Sequence, residues 1–213
     1  LFSGEGLLRI TKLPLSSANI FLNQYRDLEG GLDINLFYNL DKKFFSSELS
    51  SNNAAIKNNK LLFDKGLIEF NNYVFDTDFA LQINDSESPI KIKGSVPINK
   101  KDKLDLRLIG NGKFIDLIDI FSDEYFNFKE GNVNLRMIIK GTRNKPILNG
   151  FLVIKDSEVD IYENTIKDIN SLIIFDFDYL DIKNLKAKSG NNGNISINGS
   201  LPFYSKSDYD KSA

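Results

Sequence analysis

The stretch GNVNLRMIIKG, Gly131 to Gly141, places Val133, Leu135, Met137 and Ile139 at every second position. Successive side chains on a strand point to opposite faces, so this alternation specifies a strand with one dry face and one wet face. The same period recurs at 7–13, 31–40, 75–83, 88–96, 103–110 and 194–201. Antiparallel sheets with one solvated face produce such alternation, whereas parallel sheets covered on both faces produce unbroken apolar runs. Turn-forming residues separate the runs: DKG at 64–66, NDSES at 84–88, GNGK at 110–113 and SGNNGN at 189–194. Gly, Asn and Asp tolerate the positive φ angles of tight turns. The spacing predicts an all-β chain of roughly a dozen to sixteen short strands.

Two segments leave the period. Ser16–Leu28 opens with capping residues, and Phe114–Phe126 sets Phe114, Leu117, Ile118 and Phe121 on one helical face. Both are expected to be short amphipathic helices that plug an end or edge of the sheet. Ser46–Lys60 is the least apolar region and is expected to be a weak hairpin or a mobile loop. Asp156–Asp160, DSEVD, reads as an acidic turn.

Composition narrows the chemistry. Apolar residues make up 41% of 213, enough for a packed core, and the net charge is −2. That balance lacks the clustered basic excess of a nucleic-acid surface, so no nucleic-acid partner is expected. His, Cys and Trp are absent. A Ser-His-Asp triad, a cysteine nucleophile and a His/Cys zinc site are therefore excluded. No run reaches the ~18–20 apolar residues of a membrane-spanning helix, and no signal peptide is recognisable. Asp176 and Asp178, with Asp160 near them, could seed a calcium site or an acid/base pair. A solvated strand face explains them more simply. The expectation is a non-enzymatic protein with no cofactor and no metal site. GNGK lacks the spacing of a phosphate loop, and three Asn-x-Ser sequons (Asn84, Asn194, Asn198) are expected by chance in an Asn-rich chain.

One phrase is written twice: IKGSVPI at Ile92–Ile98 and INGSLPF at Ile197–Phe203. In each, an inward Ile is followed two residues later by Gly (Gly94, Gly199), then by an inward Val96 or Leu201, then by Pro. Pro cannot donate to a strand ladder, so Pro97 and Pro202 should end their strands. The inward row defines a candidate groove of Ile92, Val96, Val133, Leu135, Met137, Ile139, Ile195, Ile197 and Leu201.

Gly141, Thr142, Pro146 and Gly150, followed by Gly190, Gly193, Gly199, Leu201 and Pro202, form an ordered pattern over 130–203. This pattern resembles the TamB family of envelope proteins, within the wider AsmA-like group. LRITKLPL and LEGGLDINL near the start are similar to that family's helix-then-strand opening. The Asn- and Lys-rich composition suits an AT-rich genome such as a marine cyanobacterium, whose TamB-like proteins are related to a plastid inner-envelope protein. The resemblance implies one elongated β module over 1–213, part of a longer protein, with 204–213 a disordered polar tail. It also implies a mainly antiparallel sheet curled lengthwise into a U-shaped apolar trough, a β-taco. It implies a periplasmic or envelope location, with anchoring to the inner membrane by a segment outside this chain. The implied cargo is phospholipid moving between membranes or an outer-membrane protein client. A BamA-like outer-membrane barrel of the TamA type is the implied partner of the full-length protein. A different class fits the alternation too: a surface β-solenoid or sandwich that binds polysaccharide or a partner protein.

Overall fold

The computed structural model describes residues 3–16, 28–56, 59–84, 88–112, 126–162, 164–190 and 193–202. They form thirteen strands: β1 (Glu5–Pro14), β2 (Leu28–Glu29), β3 (Gly31–Asn39), β4 (Phe44–Ile56), β5 (Asn59–Asn71), β6 (Val74–Ile83), β7 (Ile90–Pro97), β8 (Asp105–Gly112), β9 (Phe126–Gly141), β10 (Pro146–Ile161), β11 (Asn164–Phe177), β12 (Tyr179–Ser189) and β13 (Gly193–Pro202). All belong to one antiparallel sheet in the order β1-β3-β4-β5-β6-β7-β8-β9-β10-β11-β12-β13, with β2 paired to the far end of β4. The expected all-β, curled antiparallel sheet is the fold of this chain. No α-helix occurs among the described residues. Apart from their end residues, the two expected helices lie outside them, as does the 204–213 tail.

Tight turns account for the meander. Asn72 and Tyr73 both have positive φ (47° and 66°) between the paired Asn71 and Val74. Two such residues in a two-residue loop match the right-handed twist of the strands they join. Gly30, at φ 82°, separates β2 from β3, and a Cβ there would collide with the Asn53 carbonyl. Both halves of this kinked segment pair with β4.

Several turn-like sequences lie inside strands. DKG at 64–66 falls where the β5–β6 register shifts between Phe63 and Leu67, and Gly110–Gly112 completes β8. DSEVD is no turn: it lies within the 16-residue β10, where Asp156 takes φ 47° at a register shift. Lys12, Asp168 and Asn184 have positive φ at equivalent shifts in β1, β11 and β12. A bulge inserts one residue, bends the strand and sharpens its twist. The amide freed at three of these bulges finds a side chain on the neighbouring strand. Lys12 N–H donates to Asp33 Oδ1 (2.9 Å), Asp156 N–H to Asn170 Oδ1 (3.3 Å) and Asn184 N–H to Asn198 Oδ1 (2.6 Å).

The described part of Ser46–Lys60 is structured: it holds most of β4, paired on both sides, and the start of β5, and Ile56 pairs with Asn59 as the hairpin expectation has it. Its low apolar content has a packing cause. The inward positions Ser47, Ser51 and Ala54 are small, and Ala54 is fully buried beneath larger neighbours.

One face carries a continuous rung without polar side chains from β7 to β13. Ile92, Leu108, Met137, Gly150, Phe175, Leu180 and Leu201 are successive cross-strand partners from β7 to β13. Burial along this face is uneven. Ala54, Ile56, Leu61, Ile83, Ile90, Val133 and Leu135 form the core cluster, at the end of the sheet that carries the β4–β5 and β6–β7 turns. At the opposite end Leu8, Phe75, Phe177 and Leu201 are 41–58% exposed.

Candidate functional site

The open end holds an apolar depression of about 350 Å³ lined by Leu36, Phe45, Ser47, Ile68, Phe70 and Phe75. Its geometry follows from register. The Asn72-Tyr73 turn sets Phe70 opposite Phe75, with ring centroids 4.9 Å apart. Phe45 faces Phe70 from β4 at 5.8 Å, and Tyr73 meets the Phe70 ring edge-on at 6.4 Å. Leu36, Ser47 and Ile68 are consecutive cross-strand partners beside these rings. The Lys43 ammonium stands 5.8 Å over the Tyr73 ring, within cation–π range. The six lining residues include no titratable group, and their only polar side chain is the Ser47 hydroxyl. Such a surface offers mainly apolar contact, and its lining supplies no titratable acid or base.

The nine candidate groove residues share this face, with unequal access. Val133 and Leu135 are 2% and 6% exposed and belong to the closed core. Ile92, Val96, Met137, Ile139 and Ile195 are half-buried, and Ile197 and Leu201 are exposed on β13. Sequence reasoning passed over the Phe45–Phe70–Phe75 group. Phe45 and Phe70 lie outside the alternating runs, and only pairing across β4, β5 and β6 makes the three rings one surface. Phe37 and Phe151 fall on the opposite face, since they pair with Leu7 and Arg136.

The acidic residues do not converge. Asp176 pairs with Tyr179 near the open end, and Asp160 pairs with Thr165 near the other end of the same hairpin. Their β10 positions, Asn149 and Asp160, are separated by some 35 Å of strand at about 3.3 Å per residue. Among the described residues no three acidic, His or Cys groups are placed to hold a metal ion.

Asp160 belongs to a different arrangement. It accepts from the Thr165 hydroxyl (2.6 Å) and lies 2.9 Å from the Lys129 ammonium. Lys129 also approaches Glu158 (3.4 Å), and Glu158 is 3.3 Å from Lys167. The Thr165 hydrogen bond, then Lys129, hold the Asp160 carboxyl below its ordinary range, while Asp160 and Glu158 raise Lys129. A depressed carboxylate stabilises the fold above its unfolded pKa and loses that contribution as pH falls through the folded value. The raised Lys129 contributes below the ordinary lysine range and loses its contribution in strong alkali. Asp160→Asn should therefore lower the urea midpoint at neutral pH. The difference from wild type should vanish below the carboxylate range, as measured by denaturation at stepped pH.

No protein-family model, curated protein or solved structure matches this chain.

Proposed function

We propose that this chain is a non-enzymatic segment of the cell envelope whose apolar concave face carries the acyl chains of phospholipid. The observation that supports this is the unbroken apolar rung from Ile92 to Leu201 across seven strands, ending in exposed apolar side chains. Acyl chains require continuous apolar contact and no specific polar partner, and a long curled sheet supplies that contact along the direction in which strands stack. Phe45, Phe70 and Phe75 give the face a shaped recess as well. In the TamB-like reading, lipid moves between inner and outer membranes, and a barrel partner binds elsewhere on the full-length protein.

The polysaccharide-binding sandwich would need a second sheet over the apolar face, and a solenoid would need coiled parallel strands. The described strands form one antiparallel meander.

Photo-crosslinking amino acids at Phe75 and Leu201, compared with Lys91 and Arg107 on the opposite face, test the proposal. After incubation with phospholipid vesicles, mass spectrometry should find lipid adducts at the first two positions only. Equal labelling at all four, or none, overturns it.

A further inference from the structure

In an antiparallel meander every second connection falls at the same end of the sheet. At the open end these connections are residues 40–43, 72–73, 98–104, 142–145 and 178. Together they hold seven Lys or Arg against three Asp, in a chain whose net charge is −2. Positive charge is gathered at this end, and the overall balance conceals it.

The turns touch one another in succession. The Lys43 ammonium of the first stands over the Tyr73 ring of the second. Ile98 N–H of the third donates to the Tyr73 carbonyl (2.8 Å). The Arg143 guanidinium of the fourth donates to the Ile98 carbonyl, and Lys103 bridges to Thr142. Residues 42–43, 73, 98–103 and 143 thus form one ledge. Backbone contacts fix its shape: Lys101 N–H donates to Asn99 Oδ1 (3.1 Å), Leu104 N–H to the Gly141 carbonyl (2.7 Å), and Thr142 and Lys145 exchange amide hydrogen bonds (3.1 Å each).

The charges on the ledge are unequally engaged. Asp41 accepts from the Gly4 amide and Asp102 from the Asn99 side-chain amide, each at 3.3 Å. Lys42, Lys43, Lys100, Lys101 and Lys103 are exposed, and among the described residues no ion pair engages them. On the strands, by contrast, Lys93, Lys129, Lys167 and Lys188 each face a carboxylate. Exposed Tyr73 and Ile98 stand between the free lysines. Ammonium groups interleaved with tyrosine and an aliphatic side chain match a bilayer interface, where cations meet anionic headgroups and amphipathic rings sit at headgroup depth. Six of the seven cations are Lys. Lys acts as a point charge suited to a fluid array of phosphates, whereas fixed phosphate recognition favours the Arg fork.

We propose that this ledge seats the open end of the sheet on the anionic headgroups of a phospholipid bilayer. The Phe45–Phe70–Phe75 recess begins at Phe70, 6.4 Å from Tyr73, so the contact brings acyl chains to its mouth. The proposal rests on the lipid reading for its occupant, but the ledge and the groove are read by separate measurements.

Co-sedimentation tests the ledge, with vesicles of phosphatidylcholine alone or mixed with phosphatidylglycerol. Wild type should bind the mixed vesicles, leave the pure ones unbound, and dissociate at high salt. Lys42→Glu/Lys43→Glu/Lys100→Glu/Lys101→Glu should bind the mixed vesicles at least ~100-fold more weakly, and Lys→Gln at the same positions about 10-fold more weakly. Lys12→Glu/Lys91→Glu/Lys155→Glu/Lys186→Glu makes the same charge change on exposed strand positions away from this end. It should bind within a few-fold of wild type, and all variants should keep the wild-type circular dichroism spectrum. A wild type that ignores mixed vesicles, equal binding to both compositions, or equal loss in the two Glu variants overturns the proposal. Tighter binding to soluble polyglutamate than to mixed vesicles also overturns it, and makes the partner an acidic protein. Lipid crosslinking at Phe75 from detergent micelles reads the groove alone, and the ledge variants should keep it. Vesicle binding without such adducts in wild type supports the ledge and removes the acyl-chain reading.

Discussion

Gly94→Ala should destabilise the fold by about 3 kcal/mol, whereas Gly199→Ala should change it by no more than ~0.5 kcal/mol. The two glycines occupy the same place in the same repeated phrase, so sequence alone assigns them equal importance. Gly94 has φ 140°, which a residue with a Cβ adopts only under strain, and the β8 backbone at Asp105 occupies the space a methyl would need. Neither can yield cheaply, because the carbonyl is part of a strand paired on both sides. Gly199 meets nothing within 4 Å, and β13 pairs only with β12 among the described strands. Urea denaturation of both variants in dilute solution measures the difference. Equal losses would show that the glycine serves its own strand and not the neighbour packed against it.

Leu135→Asp should cost ~4 kcal/mol or more, and Leu201→Asp about 0.5 kcal/mol or less. Both residues lie on the apolar face and both were candidate groove residues. Leu135 is 6% exposed within the core cluster, so a carboxylate there would lose its water without gaining a partner. Leu201 is 58% exposed and leaves an aspartate solvated. Thermal or urea unfolding separates the two, and similar losses would mean that the face is closed along its whole length. In the lipid reading, Leu201→Asp should keep the fold and weaken acyl-chain crosslinking at neighbouring positions.

The places where the sequence misleads share a cause. DKG and DSEVD carry turn chemistry, and Asp156 does take the backbone angle that such chemistry favours, at φ 47°. What one strand cannot reveal is whether its neighbour continues past that point. Where it does, the turn signal becomes a bulge in a longer strand, and two expected short strands merge into the 16-residue β10. Asn170 and Asn198 acquire their role the same way. Each accepts the amide of a bulge on the strand beside it, a partner 14 positions away in the chain. The polar look of β4 left a hairpin and a loop equally open for a third reason, since small inward side chains under a crowded face are indistinguishable by type from loop residues.

Alternation, Gly and Asn punctuation and the two terminal prolines determined by themselves that this protein is an antiparallel sheet with one dry face. They also placed Ile92, Met137 and Leu201 on that face, because strand periodicity is local and survives any choice of neighbours. Only the tertiary structure decided which stretch of the face is closed core and which is open, and that the phenylalanines at 45, 70 and 75 form one recess. It alone separated Gly94 from Gly199. Those properties depend on which strand lies alongside and in what register, and neighbours in a sheet are chosen by contacts that a single strand does not encode.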